Sequence, residues 1–137
     1  MRACEQEGEG FAELIEGYFE RYSMPIMITE TSAYGPPEVR SRWLERSVAA
    51  IKDVRSRGVP VVGYTWFPLF TMVDWRYRFG QGPIEDYHIQ LGLFSLNGDG
   101  RAERWHASSL VSTFGEYARN PAAVVGALGG DYVPVMG

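Results

Sequence analysis

Four carboxylates stand where the sequence could place chemistry. Glu30 closes the apolar run Ile26-Met27-Ile28-Thr29, Asp74 precedes Trp75, and Glu85-Asp86 lie in a loop after a glycine-rich stretch. A carboxylate can attack an electrophilic carbon or move a proton, and two carboxyl groups held in opposite protonation states can do both at one pH. Aromatic rings are concentrated between Tyr64 and Tyr87, and rings beside acidic groups suit sugar faces but suit a core equally well. Arg76, Arg78, Arg101 and Arg104 could meet an anionic sugar or pair with Asp74, Asp86 and Glu103.

Other reactive types lack the company their chemistry needs. His88 and His106 are the only histidines, and neither has a cysteine or carboxylate at ligand spacing, so surface or capping roles are expected and no metal site. Ser32, Ser108 and Ser109 sit outside any G-x-S-x-G context. Gly98-x-Gly100 follows Asn97 as a turn and opens no phosphate-binding helix. Cys4 is the single cysteine, which rules out an intrachain disulfide and fits a reducing, cytoplasmic compartment.

The elements that must position these residues are legible from periodicity. Phe11, Leu14, Ile15, Tyr18, Phe19 and Tyr22 recur at helical spacing, with Glu13, Glu16 and Glu20 on the other face. Pro25 stops that helix, and the run ending in Glu30 has the length and β-branched content of a buried parallel strand. The small residues and prolines of 31–37 form a loop, and Pro37 is placed to open a helix over 38–57. Its apolar stripe is Val39, Trp43, Leu44, Ser47, Val48, Ile51 and Val54, and Arg40, Arg42, Glu45, Arg46, Lys52 and Asp53 form its solvated face. Gly58 ends it, and residues 59–66 form a second buried strand with Pro60 near its start.

Residues 67–82 read as a long aromatic loop. Residues 89–96 with the turn Asn97-Gly98-Asp99-Gly100 suggest a short extended segment or hairpin, and 105–120 a last helix with Leu110, Val111, Phe114 and Tyr117 inward. Residues 121–137 carry no usable pattern and read as a poorly determined tail. The order helix, strand, helix, strand, helix suits parallel strands joined by crossovers in a single α/β domain over 1–137.

With 137 residues, 45% hydrophobic, 22% charged and a net charge of −4, the chain has the composition of a globular protein and not of a basic nucleic-acid binder. No apolar run approaches the roughly 18 to 20 residues of a membrane span, and the acidic start lacks the pattern of a signal peptide. Two strands with three helices leave strand edges open, so something else should cover them.

Two motifs carry a family resemblance. Pro25-Ile26-Met27-Ile28-Thr29-Glu30-Thr31-Ser32 resembles the I-T-E-N-G strand of family 1 β-glycosidases, and Gly58-Val59-Pro60-Val61-Val62-Gly63-Tyr64 resembles their G-V-x-V-x-G-Y strand. Counting on without a gap, Asp74-Trp75 falls on the family's sugar-holding glutamate-tryptophan pair, and Arg78-Phe79-Gly80 looks like its R-F-G element. The departures are Thr31-Ser32 for N-G, Phe67-Pro68 for W-S, Thr71-Met72 for D-N, and the shorter Asp74 for glutamate. Trp66 lies one position before the family's tryptophan, so either the strand end is shifted or Phe67 has taken over that platform.

The resemblance spans about residues 11–120 and implies a partial (β/α)8 TIM barrel, from about the sixth helix through the eighth. It implies Glu30 as nucleophile-equivalent, Asp74 and Trp75 as sugar ligands, Trp66 and Tyr34 as subsite walls, and no cofactor. The family's acid/base carboxylate belongs to an N-E-P motif on an earlier strand, which these residues do not contain. The expected activity is therefore glycoside hydrolysis only when a missing N-terminal barrel part is supplied. The alternatives are a non-catalytic, self-associating carbohydrate-binding module and an unrelated small α/β domain.

Overall fold

The computed structural model describes residues 3–97, 104–107 and 109–122, with side chains described for 10–96 and 109–122. Helix α1 (Ala3–Tyr22) leads to strand β1 (Ile26–Thr31), helix α2 (Pro37–Ser56) and strand β2 (Val61–Trp66). The short strands β3 (Met72–Val73), β4 (His88–Ile89), β5 (Phe94–Asn97) and β6 (Arg104–Ala107) follow, and helix α3 (Ser109–Arg119) comes last.

Helix α1 begins well before the apolar periodicity that announced it, because Glu5, Gln6 and Glu7 are good helix formers. Its end is marked by Ser23, at φ 50, whose N–H donates to the Phe19 carbonyl at 2.8 Å. Helix α2 opens with Pro37 in its first turn, where no amide donor is needed, and stops at Gly58, which adopts φ +92. Leu44, Ser47, Val48, Ile51 and Val54 of the expected stripe are buried.

Strands β1 and β2 pair in parallel, with Ile26 opposite Val61 and Thr31 opposite Trp66. The helices cover one face of this pair. Ile15, Ile51, Val54, Val59 and Val61 form one core, into which Phe11, Phe19, Ile26 and Ile28 pack. Leu44, Val48, Trp66, Leu93 and Leu110 form a second, joined by Val111, Phe114 and Tyr117 as expected for the last helix. The other face of the sheet is open: Met27, Thr29 and Val62 are exposed. The expected two-sided burial of β1 is thus corrected to one-sided burial, because no second layer of the described residues lies on that face.

Two further expectations change, and a third is met. The 67–82 stretch is not a continuous loop, since β3 pairs antiparallel with β4 and Trp75–Arg78 forms a 3₁₀ turn. The hairpin expected near residue 97 exists as β5 with β6, Asn97 opposite Arg104, while the turn residues 98–103 fall outside the described residues, as does most of the 121–137 tail. The last helix starts at Ser109 and not at 105, because the Arg104–Ala107 backbone is taken up by the ladder with β5.

Candidate functional site

Glu30 is the penultimate residue of β1 and is exposed, at the end where both parallel strands finish. The next residue fixes that end. Thr31 accepts a hydrogen bond at Oγ1 from Trp43 Nε1 at 2.7 Å and at its carbonyl from the Phe67 amide at 3.2 Å, so the residues following β2 are stitched to the residue following Glu30. The loop after β1 turns at Gly35, whose φ of +139 an L side chain rarely adopts, and leaves Tyr34 68% exposed.

Trp66 and Phe67 divide the roles that the sequence left open. Trp66 is only 5% exposed, packs with Leu44, Val48, Leu93 and Leu110, and donates its Nε1–H to the Leu91 carbonyl at 3.0 Å. This corrects its expected place as a subsite wall: it is a core residue, and its polar edge is already satisfied. Phe67, 45% exposed, is the ring that emerges at the strand end.

Asp74 caps the 3₁₀ turn, accepting from the Arg76 amide at 2.8 Å and from the Arg76 guanidinium at 2.6 and 2.9 Å. The Arg76 side-chain and backbone donors hold its carboxyl below the usual carboxylate range. It is therefore an anion and hydrogen-bond acceptor, unsuited to act as a proton donor near neutral pH. Trp75 is 70% exposed, with the Arg78 guanidinium 4.4 Å from its ring centroid. Phe79 is 91% exposed, and Gly80 lies where a side chain would collide with the Tyr87 phenol.

A hub that the sequence reading missed supports these loops. Three successive carbonyls each receive a donor from a different element: Gln90 from the Gly35 amide at 3.0 Å, Leu91 from the Trp66 indole, and Gly92 from the Arg40 guanidinium. Arg40 also donates to Ser95 Oγ at 2.9 Å and is 1% exposed, which corrects its expected place on the solvated face of α2. Burial lowers its pKa, and its Nε has no hydrogen-bond partner. The signal was present, because Arg40 shares the stripe of Leu44, Ser47, Ile51 and Val54 at helical spacing.

Among the described residues no group of three His, Cys, Asp or Glu side chains could hold a metal ion. No helix of the described residues is long and apolar enough to cross a membrane. His88 lies half-buried in β4, and the His106 side chain is outside the described residues.

These elements define an α/β unit with the exposed carboxylate of Glu30 and the exposed rings of Tyr34 and Phe67 at the C-terminal end of a parallel strand pair. No protein-family model matches the chain. No curated protein matches it in sequence. Solved structures do match. The β-glycosidase of the hyperthermophile Thermosphaera aggregans superposes with a TM-score of 0.66 and 19% identity over 88% of this chain and 24% of its own. A β-glucosidase from Exiguobacterium marinum gives 0.64 and 15% over 83% and 26%, respectively. The likeness is one of fold: the chain folds as part of a β-glycosidase does, and it spans about a quarter of the length of these proteins.

Proposed function

We propose that the chain is the C-terminal portion of a retaining β-glycosidase of (β/α)8 architecture, with Glu30 as the nucleophile-equivalent. The observation that carries the reading is Glu30 itself, exposed at the C-terminal end of a parallel strand, where barrel enzymes keep catalytic groups. The fold likeness to two β-glycosidases supports it.

In a retaining mechanism one carboxylate attacks the anomeric carbon and forms a covalent glycosyl-enzyme. A second, about 5 to 5.5 Å away, protonates the departing oxygen and then activates water. Glu30 fits the first role. Asp74 is a sugar-hydroxyl acceptor, with Trp75, Tyr34 and Phe67 as apolar walls of a carbohydrate site. No local acid takes the second role, so the chain alone is inactive and needs a polypeptide bearing the N-E-P strand. Its single cysteine agrees with a cytoplasmic setting.

The test is hydrolysis of an aryl β-glucoside by the chain alone and by the chain co-produced with the polypeptide encoded directly upstream. Expected are no turnover alone, turnover with retention when complemented, and loss of that turnover in Glu30→Gln. Turnover by the lone chain, or complemented turnover that survives Glu30→Gln, overturns the reading. A second reading, a non-catalytic carbohydrate-binding module, draws on the exposure of Trp75 and Phe79. Saturable sugar binding with no turnover under either condition favours it.

A further inference from the structure

The ladder between β1 and β2 changes register twice. Ile26 faces Val61 and Met27 faces Gly63, so β2 carries one extra residue there. Gly63 leaves room for Met27, whose Cγ would lie 3.0 Å from an added Cβ. Further on, Ile28 faces Tyr64 and Thr31 faces Trp66, so the extra residue is now in β1. The second irregularity cancels the first, and the pair ends in the register in which it began.

That second bulge decides where the Glu30 carboxylate goes. Successive side chains of a strand leave opposite faces, so residues two apart share a face. Ile26 and Ile28 pack against Ile15 of α1 and Ile51 and Val54 of α2, and an unbroken ladder would send Glu30 after them. Its charge would then sit in an apolar layer, at a large cost in desolvation. The extra residue inverts the alternation, as a slip of one residue must. Thr29 and Glu30 are both exposed, and Thr31 turns to the helix side, where its hydroxyl meets Trp43 of α2. Bulges in parallel ladders are rare, and one of their uses is to re-aim a side chain.

A bulge leaves the ladder locally unpaired, so something must hold it in place. Thr31 is gripped at two points: Trp43 Nε1 donates to its Oγ1 at 2.7 Å, and the Phe67 amide donates to its carbonyl at 3.2 Å. Trp43 is in turn set by the helix layer, its ring edge-on to Phe11 of α1 with centroids 5.6 Å apart. The indole donor therefore stands on the helix side of the sheet. In an unbroken ladder the Thr31 hydroxyl would leave from the open face, away from that donor, so the hydrogen bond favours only the arrangement that turns Glu30 outward.

We infer that Thr31 is the positioning residue for Glu30: its hydroxyl, held by the Trp43 indole, closes the bulge in β1 that turns the carboxylate out of the helix layer. Thr31 does not touch a substrate in this role and acts through the direction of its neighbour. The purpose of that direction rests on the glycosidase reading, in which Glu30 is the nucleophile-equivalent.

The test compares Thr31→Val, which keeps the shape and loses the acceptor, with Thr31→Ser, which keeps the acceptor, by nuclear magnetic resonance on the full chain. The Phe67 amide should exchange with solvent roughly fivefold faster in Thr31→Val, the effect of losing one neutral hydrogen bond on a local opening. The Ile26 amide, bonded to the Pro60 carbonyl at the other end of the pair, should keep its rate, and Thr31→Ser should restore that of Phe67. The Glu30 Cα–Hα residual dipolar coupling reports the face from which its side chain leaves. It should depart from the wild-type value in Thr31→Val and return to it in Thr31→Ser. Trp43→Phe removes the donor from the other side and should reproduce both changes, so the result does not hang on one variant folding. Equal acceleration at Phe67 and Ile26, no acceleration, or a Glu30 coupling that holds while Phe67 exchanges faster overturns the inference. Every readout is taken without turnover, so a chain that passes them yet gives no complemented hydrolysis sinks only the glycosidase reading.

Discussion

Trp66 and Trp75 offer a direct test of which indole serves the core and which faces solvent. Replacing Trp66 by phenylalanine keeps a ring in the pocket formed by Leu44, Val48, Leu93 and Leu110 but removes the donor to the Leu91 carbonyl. Leaving that carbonyl unpaired costs about 1 to 3 kcal/mol. The lost ring area, roughly 40 Å² at about 25 cal/mol per Å², adds about 1 kcal/mol. The expected loss is about 3 kcal/mol. With a urea slope of roughly 2 kcal/mol per molar, the unfolding midpoint followed by circular dichroism should fall by about 1.5 M. Trp75 is mostly exposed and has the Arg78 contact, worth under about 1 kcal/mol, so Trp75→Ala should move the midpoint by less than about 0.5 M. Equal shifts for the two variants, or a shift under about 0.3 M for Trp66→Phe, would refute the assignment of Trp66 to the core.

Gly92→Ala should destabilise the chain by about 3 kcal/mol, read in the same urea titration, because a Cβ there would lie 2.7 Å from the Phe70 carbonyl oxygen and the backbone would have to move. The Tyr64 phenol is pushed up to about 12 by burial, despite its 2.8 Å hydrogen bond to Ser47. The folded state therefore keeps a proton that the unfolded chain loses near 10.0, and stability should fall as pH rises from 10 to 12, with the folded phenol titrating late in ultraviolet absorbance. Asp74 shifts the opposite way. Its stabilising pair with Arg76 is fully present above the ordinary value of 3.8 and is lost as pH falls below it through the depressed pKa. The Arg76 amide resonance should thus hold its position at pH 4 and move only in stronger acid.

The β1–α2–β2 segment was legible because its signals agree: short apolar runs rich in β-branched residues, a proline at the helix start and a glycine at its end. Glu30 at a strand end was legible for the same reason. Arg40 was misplaced by giving its charge more weight than its spacing, although its position on the buried stripe marked it. Trp66 was misjudged because aromatic content alone does not say which of two adjacent rings turns inward; the Leu91 acceptor that decides it lies 25 residues away. Trp105-His106-Ala107 suits a helix start as well as a strand, and only pairing with β5 selects the strand. The Asp74–Arg76 turn was readable in principle, since an aspartate accepting from the amide two residues on is a local pattern.

Arg40 must wait 52 residues for the Gly92 carbonyl and 55 for the Ser95 hydroxyl. During synthesis α2 therefore emerges with a charged group on its otherwise apolar stripe, and that group stays hydrated until the later segment arrives. Seating it is a non-local event, and together with the Gly35 amide and the Trp66 indole it ties α2, the loop after β1 and the end of β2 to one short stretch of backbone. The buried seat of Arg40 therefore exists only where the stretch from Gly92 to Ser95 is in place, and the charge ties the closing of the core to residues more than 50 positions further along the chain.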